Sequence, residues 1–433
     1  MLRAGSSRAL VTPPLGTRLA GYPHRPAGSQ SVHDDLFIRS LVLESEDVLY
    51  AVLSADLMGV ESEWVAELRR RAQTELDIPS DHVLFATTHT HAAPGGLFAP
   101  HGALAAAFQA SFAEGVGPFD EMIYELLLRQ AISTLRQSRD GLRPASLRTA
   151  PGYAPGIASN RRDPATSVDQ SCFVLCAVGE NGDVIATVFH FACHPTILGY
   201  KDLGVSADFP GVASRILETS LGGIAMYVNG ALGDVSTRFT RRSQTYLEVE
   251  RLGRILAGAV LVALGRAAKL DSVVLRSTVT PVDLAPKDSY WFGDPEQRAA
   301  KLREELVRLQ DVASHGEIRQ IATALQGAES ASKLAVKLQR VASVGIMLQR
   351  LQITPSIDFL AVPAEMFAAS ASALHANLPE RTVCLVGPAN GYVGYIPTAE
   401  DYEIGGYEID SALVDRGSAE LIIARALDIL QNS

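Results

Sequence analysis

The chain has 433 residues, of which 47% are hydrophobic and 20% are charged, so it can bury a large core and global disorder is excluded. This length fits one large α/β domain or two domains rather than a small module. The net charge of −10 argues against a nucleic-acid-binding protein, because such proteins carry clusters of basic residues.

The start of the chain and its cysteines bear on the compartment. Residues 1–7 contain no apolar signal-peptide region. No stretch approaches about twenty uninterrupted apolar residues, so no transmembrane segment is predicted. Four cysteines in so long a chain do not make a disulfide framework. We therefore expect a cytoplasmic protein with reduced thiols.

Apolar periodicity predicts strands and helices that alternate along most of the chain. The predicted strands are 36–43 and 48–53, which form a hairpin, and 83–87, 173–178, 184–191, 224–228, 357–362 and 383–386. The predicted helices are 63–76, 121–139, 212–221, 247–265 and 418–430. Residues 92–119 are rich in Gly, Ala and Pro and are predicted to form a loop. This alternation indicates an α/β protein with mixed β-sheets flanked by helices.

Residues 296–341 differ from the rest because they are rich in charge and helical in period. Leu302, Leu306 and Leu309 recur at helical spacing, as do further apolar residues up to Val341. We interpret the segment as a helical hairpin that is broken near residues 314–316. A stripe of this kind usually packs onto the body of the protein. The alternatives are a lid over a site and a contact in a homo-oligomer.

Three histidines stand at the ends of predicted strands. His89 and His91 follow strand 83–87, and His194 follows strand 184–191. Residues two apart on a strand face the same side, so His89 and His91 can address one site. Ligand sites gather at strand ends in α/β proteins, and imidazole is a common zinc ligand. A hydrogen-bonded structural histidine is the alternative for each.

Other polar residues follow predicted strands in the same way. Glu365 is expected in the first turn of a helix, where the helix dipole also favours a carboxylate. Gly233 and Asp234 lie in a turn where glycine lets the backbone approach a ligand closely. Four tyrosines follow strand 383–386, a clustering that alone is more often packing than chemistry: Tyr392, Tyr395, Tyr402 and Tyr407. The Walker loop, Gly-x-Gly-x-x-Gly, His-Glu-x-x-His and Gly-x-Ser-x-Gly motifs are absent from the sequence.

Taken in order, six segments resemble motifs of the neutral/alkaline non-lysosomal ceramidase family. They are Thr-His-Thr-His and its Gly/Pro loop (88–96), Asn160-Arg161, Phe-Ala-x-His (191–194), Gly-Asp-Val-Ser (233–236), Pro-Ala-Glu-Met (363–366, with Ala for the family's Gly) and Thr-x-Glu-x-Tyr with Tyr-Glu (398–402, 407–408). Each motif alone is modest, but six in the same order are specific.

The resemblance implies a zinc amidase that acts on a small-molecule N-acyl substrate. By position, the zinc ligands would be His89, His194, Glu365 and Tyr395. The reacting centre would be lined by His91, Arg161, Ser236 and Tyr407. Asp208, Gly233 and Asp234 would contact the substrate, although Asp208 is also compatible with a loop cap.

The chemistry of these side chains agrees with the implied roles. Two imidazoles, a carboxylate and a phenol make a zinc site with O and N ligands, and zinc activates water and polarises a carbonyl. Arg161 or Tyr407 suits a developing oxyanion, and His91 suits proton transfer to the leaving amine. Ser236 is either a nucleophile or an oxyanion donor, and we favour attack by zinc-activated water. Acyl transfer or amide formation, ester or lactone hydrolysis, and a non-catalytic binding protein are the alternatives.

Departures from the family bear on the domains and the substrate. Its longer secreted members have a signal peptide and a C-terminal β-sandwich domain, and neither is expected here. Thr237-Arg238 stands where the family usually has Pro-Asn after Gly-Asp-Val-Ser. We therefore expect residues 1–433 to form one catalytic domain with a helical insertion at 296–341, acting on a smaller N-acylated molecule than ceramide.

Overall fold

A computed structural model describes residues 2–100, 102–309, 312 and 315–431, and within them strands and helices alternate as predicted. The strands are β1 Arg3–Leu10, β2 Ser31–Val32, β3 Phe37–Ser45, β4 Val48–Ala55, β5 Val83–Thr87, β6 Arg143–Tyr153, β7 Ser159–Asn160, β8 Ser171–Gly179, β9 Val184–Phe191, β10 Gly204–Val205, β11 Ile224–Asn229, β12 Val235–Ser236, β13 Ala268–Lys269, β14 Arg276–Leu284, β15 Val344–Thr354, β16 Ile357–Ala361, β17 Glu365–Met366, β18 Thr382–Val386 and β19 Tyr395–Ile396. The helices are α1 Ser62–Leu76, α2 Gly102–Val116, α3 Glu121–Asp140, α4 Asp208–Leu221, α5 Tyr246–Leu264, α6 Pro295–Leu309, α7 His315–Leu338, α8 Ala368–Asn377, α9 Ala399–Ile404, α10 Tyr407–Ser411 and α11 Ser418–Gln431.

Two mixed sheets pack face to face between layers of helices, so the predicted fold class is confirmed. Among the described residues, the larger sheet has the order β11-β9-β8-β6-β1-β3-β4-β5 and the smaller has β14-β15-β16-β18. Alternate side chains of β3 point to the two opposite faces of the larger sheet. Leu41 and Leu43 point into the core between the sheets, whereas Ile38 and Val42 point into the core beneath α1 and α3. Helices α4 and α5 cover the β8-β9-β11 end of the larger sheet.

Parallel strand pairs bring several loops to one edge of this sandwich. The pairs β4–β5, β9–β11 and β16–β18 are parallel. The chain after β18 joins the two sheets, because Thr87 N donates to the Pro388 carbonyl at 3.1 Å and Gly387 N donates to the Asn229 carbonyl at 3.0 Å. The loops that follow β5, β9, β11, β16 and β18 therefore meet at one edge.

Two local predictions were wrong. Residues 92–119 are not all loop, because they contain α2, an Ala-rich helix that covers the site edge. Glu365 does not lie in a first helical turn: it lies in β17, and α8 begins only at Ala368. Pairing of β17 with β19 keeps Glu365 and Met366 extended, and the helical pattern of the sequence takes effect only from Ala368 onward.

The segment 296–341 contains two helices, α6 and α7, that pack against each other. The break was predicted near residues 314–316. Ser314 lies outside the described residues, and α7 begins at His315. The helical pair connects β14 to β15, which are antiparallel neighbours. No helix in the described part of the chain is long and apolar enough to cross a membrane.

Candidate metal centre and active site

His89 lies in the loop that follows β5, in a left-handed backbone conformation with a φ of 67°. Its backbone N–H donates to the Leu57 carbonyl at 2.9 Å, and its Nδ1 lies 2.7 Å from the Met58 carbonyl oxygen. Because a carbonyl only accepts, Nδ1 carries the proton and Nε2 presents a lone pair. His89 and His91 do converge, but through this turn and not through the strand periodicity that the sequence suggested.

His194 is fixed in the same tautomer from the other side of the site. Its Nδ1 lies 2.6 Å from the Leu232 carbonyl oxygen and 3.0 Å from that of Val235. Arg161 Nη1 donates to Nε2 at 3.2 Å, which also requires a lone pair there. Burial, and secondarily the charge of Arg161, lowers the pKa of His194 to about 4. The ring is therefore neutral at physiological pH.

Glu365 completes the centre from the short strand β17, which follows β16 of the smaller sheet along the chain. Parallel pairing of β17 with β19 sets Glu365 opposite Tyr395, and the carboxylate is fully buried. Its Oε1 lies 3.4 Å from His89 Nε2, and its Oε2 lies 2.8 Å from His194 Nε2. The Tyr392 hydroxyl donates a hydrogen bond to Oε1. Two imidazole lone pairs thus face one carboxylate.

This arrangement of donors fits a metal ion. Electron-rich atoms so close together repel one another unless a proton or a metal cation lies between them. Ligands that bind zinc tetrahedrally at about 2.0–2.1 Å lie about 3.3 Å from one another. The carboxylate oxygens of Glu365 lie 3.4 Å from His89 Nε2 and 2.8 Å from His194 Nε2, which leaves the ligand atoms close enough to share one ion. Backbone carbonyls hold the opposite ring nitrogen of both histidines, as is usual for zinc-binding imidazoles. The chemistry of the donor set, with its neutral imidazoles and a carboxylate, suits zinc.

His91 lies beside this centre and is half-buried. Its Nε2 is 3.4 Å from His89 Nε2, and one ring nitrogen from each of His89, His91 and His194 lies within 4.8 Å of the others. The Tyr22 ring packs edge-on against His91 with the centroids 5.0 Å apart. Burial, followed by the two neighbouring histidines, lowers the pKa of His91 well below its usual range. His91 is therefore a neutral imidazole at physiological pH.

Arg161 supplies a buried positive charge at the centre. Its Nε donates to Glu408 Oε1 at 2.8 Å, and its Cζ lies 5.3 Å from the centroid of the Tyr395 ring. Burial alone would lower the pKa of Arg161, but Tyr395, Glu408 and Glu365 outweigh it and raise the pKa well above the usual range. The guanidinium therefore stays charged and is held against Tyr395 and His194.

A cavity of about 100 Å³ opens onto these groups. Its inner wall comprises His91, Glu365, Tyr392, Tyr395 and Tyr407. Helices α2 and α7 supply its outer wall. The Tyr407 and Tyr395 rings meet edge-on with centroids 5.8 Å apart, and burial raises the pKa of Tyr407 to about 12, so its hydroxyl remains a donor.

Four further sequence-predicted residues lie behind the metal centre, and like His89, His194 and Arg161 they are not among the described residues that line the cavity. Gly233 packs against the backbone of β17, and a Cβ there would come within 2.6 Å of the Glu365 carbonyl oxygen. Asp234 accepts from Asn160 Nδ2 at 2.8 Å and, through its carbonyl, from Arg161 N at 2.7 Å. These contacts position Glu365 and Arg161.

Ser236 and Asp208 are also placed by backbone contacts. Ser236 pairs with His194 through an isolated β-bridge, and its Oγ accepts from Arg238 N at 3.2 Å. Asp208 accepts from Phe209 N at 2.7 Å and from Ile197 N at 3.1 Å, and burial raises its pKa to about 7. Asp208 thus ties the start of α4 to the chain after His194.

Two contact residues were not selected from the sequence. Tyr392 holds Glu365 and Glu408 holds Arg161. Glu408 stands in the Tyr-Glu pair that carries the family resemblance, whereas Tyr392 lies before it, in the tyrosine cluster that follows β18. The Tyr-Glu pair at 407–408 was the available signal for Glu408. The Met58 carbonyl, which fixes His89, has no signal in the sequence because any residue supplies a backbone carbonyl.

Comparison with known proteins yields matches of three kinds. The family model for the neutral/alkaline non-lysosomal ceramidase N-terminal domain matches residues 3–240. Neutral ceramidases of Drosophila melanogaster and Drosophila pseudoobscura pseudoobscura are each 23% identical over 256 residues, which is 54% of this chain but only 36% of theirs. The chain thus matches about a third of the length of these curated relatives.

Solved structures resemble nearly the whole chain. A ceramidase complexed with C2 superposes with a TM-score of 0.76 at 18% identity, over 99% of this chain and 74% of that one. Neutral ceramidase from Pseudomonas aeruginosa gives a TM-score of 0.73 at 17% identity, over 100% of this chain and 75% of that one. At such low identity these likenesses establish the fold.

Proposed function

Because the chain belongs to the neutral/alkaline non-lysosomal ceramidase family, we propose that it is a zinc-dependent hydrolase of carboxylic amides in ceramide-like N-acyl compounds. The observation that carries the proposal is the convergence of His89 Nε2, His194 Nε2 and the Glu365 carboxylate on one point. Backbone carbonyls fix both histidines with their lone pairs toward that point.

We assign the zinc to His89, His194 and Glu365, with Tyr395 as the fourth ligand. The pairing of Glu365 with Tyr395 supports this assignment because it places both at the same edge. When bound in such a site, zinc acts as a Lewis acid that polarises a carbonyl and lowers the pKa of water to about 7. Since these residues and Glu408 span most of the chain, we propose one catalytic domain that contains the helical insertion 296–341.

The remaining residues would handle charge and protons. Water adds to the amide carbonyl carbon, the C–N bond breaks, and a carboxylate and an amine leave. His91, a neutral imidazole on the cavity wall, takes the proton of the attacking water and returns it to the leaving nitrogen. Arg161 and Tyr407 stabilise the oxyanion that develops on the carbonyl oxygen. Ser236 acts through its backbone bridge to His194, so we assign it no nucleophilic step.

The test is a metal and substrate titration on the purified chain. We expect about one zinc per chain, loss of amide hydrolysis on chelation, and recovery when zinc is added back. His89→Ala and Glu365→Gln should lose both zinc and activity. His33→Ala removes an exposed histidine outside the cavity and should change neither. Activity of the metal-free protein, or of His89→Ala at the wild-type rate, would refute the proposal.

A further inference from the structure

Helix α7 forms a wall of two adjoining cavities. Its residues from Gln326 to Lys333 line the inner cavity, which contains the reacting groups. Its residues from Ile318 to Glu329 line an outer cavity of about 480 Å³. Both cavities share Gln326 and Glu329 of α7, together with Pro23 and His24 on the facing loop. The outer cavity therefore continues outward from the inner one.

The two cavities differ in chemistry. The outer cavity is bounded by Tyr22 and Tyr200 on one side and by Ile318, Ala322 and Leu325 on the other. These side chains present aromatic and aliphatic surface, which binds hydrocarbon. Ile318 and Lys333 are fifteen positions apart on α7, which at the helical rise of about 1.5 Å per residue is about 22 Å. An extended chain bound along the helix has this length available.

The other end of this path carries a positive charge. Lys333 lines the inner cavity, and within the described part of the chain it forms no ion pair. The nearest acidic residue of α7 in the same wall, Glu329, is already paired, because Arg303 Nη2 donates to it at 2.6 Å. The ammonium group is thus available to an anionic group of a substrate whose amide lies at the reacting centre.

The position of α7 over the site is fixed by packing. At Gly327 the helix approaches α10 so closely that a Cβ would lie 3.1 Å from Tyr407 Cα and 3.0 Å from an Asp410 side-chain oxygen. Arg298 of α6 donates to Asp410 Oδ1 at 2.6 Å. Helix α7 is therefore built onto the helix that carries Tyr407, and its side chains belong to the substrate path.

We propose that the substrate is an N-acyl amino acid with a single hydrocarbon chain. The acyl chain lies in the outer cavity, the amide at His91 and Glu365, and the carboxylate of the amino acid against Lys333. This inference rests on the proposed amide hydrolysis and adds the identity of the two products. Water adds to the carbonyl carbon, the C–N bond breaks, and a fatty acid and a free amino acid are released.

The experiment compares three amides with the same acyl group: N-dodecanoylglycine, N-dodecanoylethanolamine and N-dodecanoylsphingosine. The first two differ mainly in a carboxylate against a hydroxymethyl group. We expect the zinc-loaded protein to have a kcat/KM about tenfold higher for the glycine amide, because a contact between charges is stronger than one to a neutral group. Lys333→Met should raise KM for the glycine amide about tenfold and leave the ethanolamide unchanged.

Two control variants lie on the same helix. Lys337→Met removes an exposed lysine one turn away that does not line the described wall of either cavity, and it should keep the glycine preference. Ala322→Trp fills the outer cavity and should lower kcat/KM for N-dodecanoylglycine far more than for N-acetylglycine. Val336→Trp, at a position that is 62% exposed, should not lower kcat/KM for N-dodecanoylglycine more than for N-acetylglycine. Thermal melting of each variant checks that it folds.

The outcomes separate the two proposals. Hydrolysis of the ethanolamide or the sphingosine amide without a glycine preference, or an unchanged KM in Lys333→Met, overturns the N-acyl amino acid assignment and leaves amide hydrolysis standing. Absence of zinc-dependent hydrolysis of all three amides overturns both. A glycine preference that Lys333→Met abolishes and Lys337→Met retains supports both.

Discussion

Tyr392→Phe is the sharpest test of how the metal centre is held. The substitution removes only the hydroxyl that donates to Glu365 Oε1, at a side chain that is 7% exposed. A hydrogen bond to a charged group contributes about 1.5–3 kcal/mol, which corresponds to about 10- to 150-fold in an equilibrium constant. Loss of a hydrogen-bonding partner of a metal ligand typically weakens metal binding about 10- to 100-fold. We therefore expect the Kd for zinc to rise by about one to two orders of magnitude.

The assay is competition for zinc against a chromogenic chelator, together with melting curves at several zinc concentrations. Because zinc stabilises the native state by RT ln(1 + [Zn]/Kd), the zinc-induced rise in Tm should shrink in Tyr392→Phe. Tyr402→Phe is the matched control. It removes a similarly buried hydroxyl of the same segment that donates to the Val414 carbonyl instead. If Tyr392→Phe binds zinc as tightly as Tyr402→Phe and the wild type do, the role of Tyr392 in holding Glu365 at the metal is refuted.

Two further predictions concern buried charges near the site. Glu408→Gln keeps a hydrogen-bond acceptor for Arg161 but removes the negative charge of Glu408, so kcat should fall about tenfold with the zinc affinity unchanged. The control Glu44→Gln, on the surface, should have no effect. A kcat of Glu408→Gln equal to that of the wild type would contradict this role of Glu408. Burial lowers the pKa of Lys287 to about 7, so from pH 7 to about 10 the unfolded state binds more protons than the native state. The free energy of unfolding of the wild type relative to Lys287→Met should therefore rise with pH, by at most about 1.4 kcal/mol per pH unit. If urea unfolding gives the same difference in free energy between the two proteins at every pH from about 7 to 10, the prediction is contradicted.

The layered α/β fold was predictable because buried strands give a strong apolar pattern in the sequence. Strand β5 was predicted with its observed bounds, and β9 likewise, since each is a short run dominated by apolar residues. Strands such as β1 and β15 were not predicted. In β1, Gly5, Ser6 and Ser7 stand among few apolar residues, and its place in the sheet comes from pairing with β3 along its whole length.

The site was predictable in composition but not in geometry. His89, His194 and Glu365 were selected because a resemblance to known motifs singled them out, whereas local pattern assigned Glu365 to a helix. Its true position depends on pairing between β17 and β19, two residues each, which leaves no periodicity to detect. The left-handed turn at His89 is equally invisible, since non-glycine residues rarely adopt it and the surrounding contacts impose it.

The place of α6 and α7 in the chain explains how chemistry and selectivity separate in this molecule. They lie between β14 and β15, whose facing ends pair as Leu284 with Val344, as in an ordinary hairpin. The connection can therefore vary in length and sequence without shifting the register of the sheet whose strand β16 leads into Glu365. The centre depends on strand ends and backbone carbonyls, whereas the substrate path depends on side chains of α7. Substitutions such as Lys333→Met are thus expected to change which amide is accepted while the zinc Kd stays at the wild-type value.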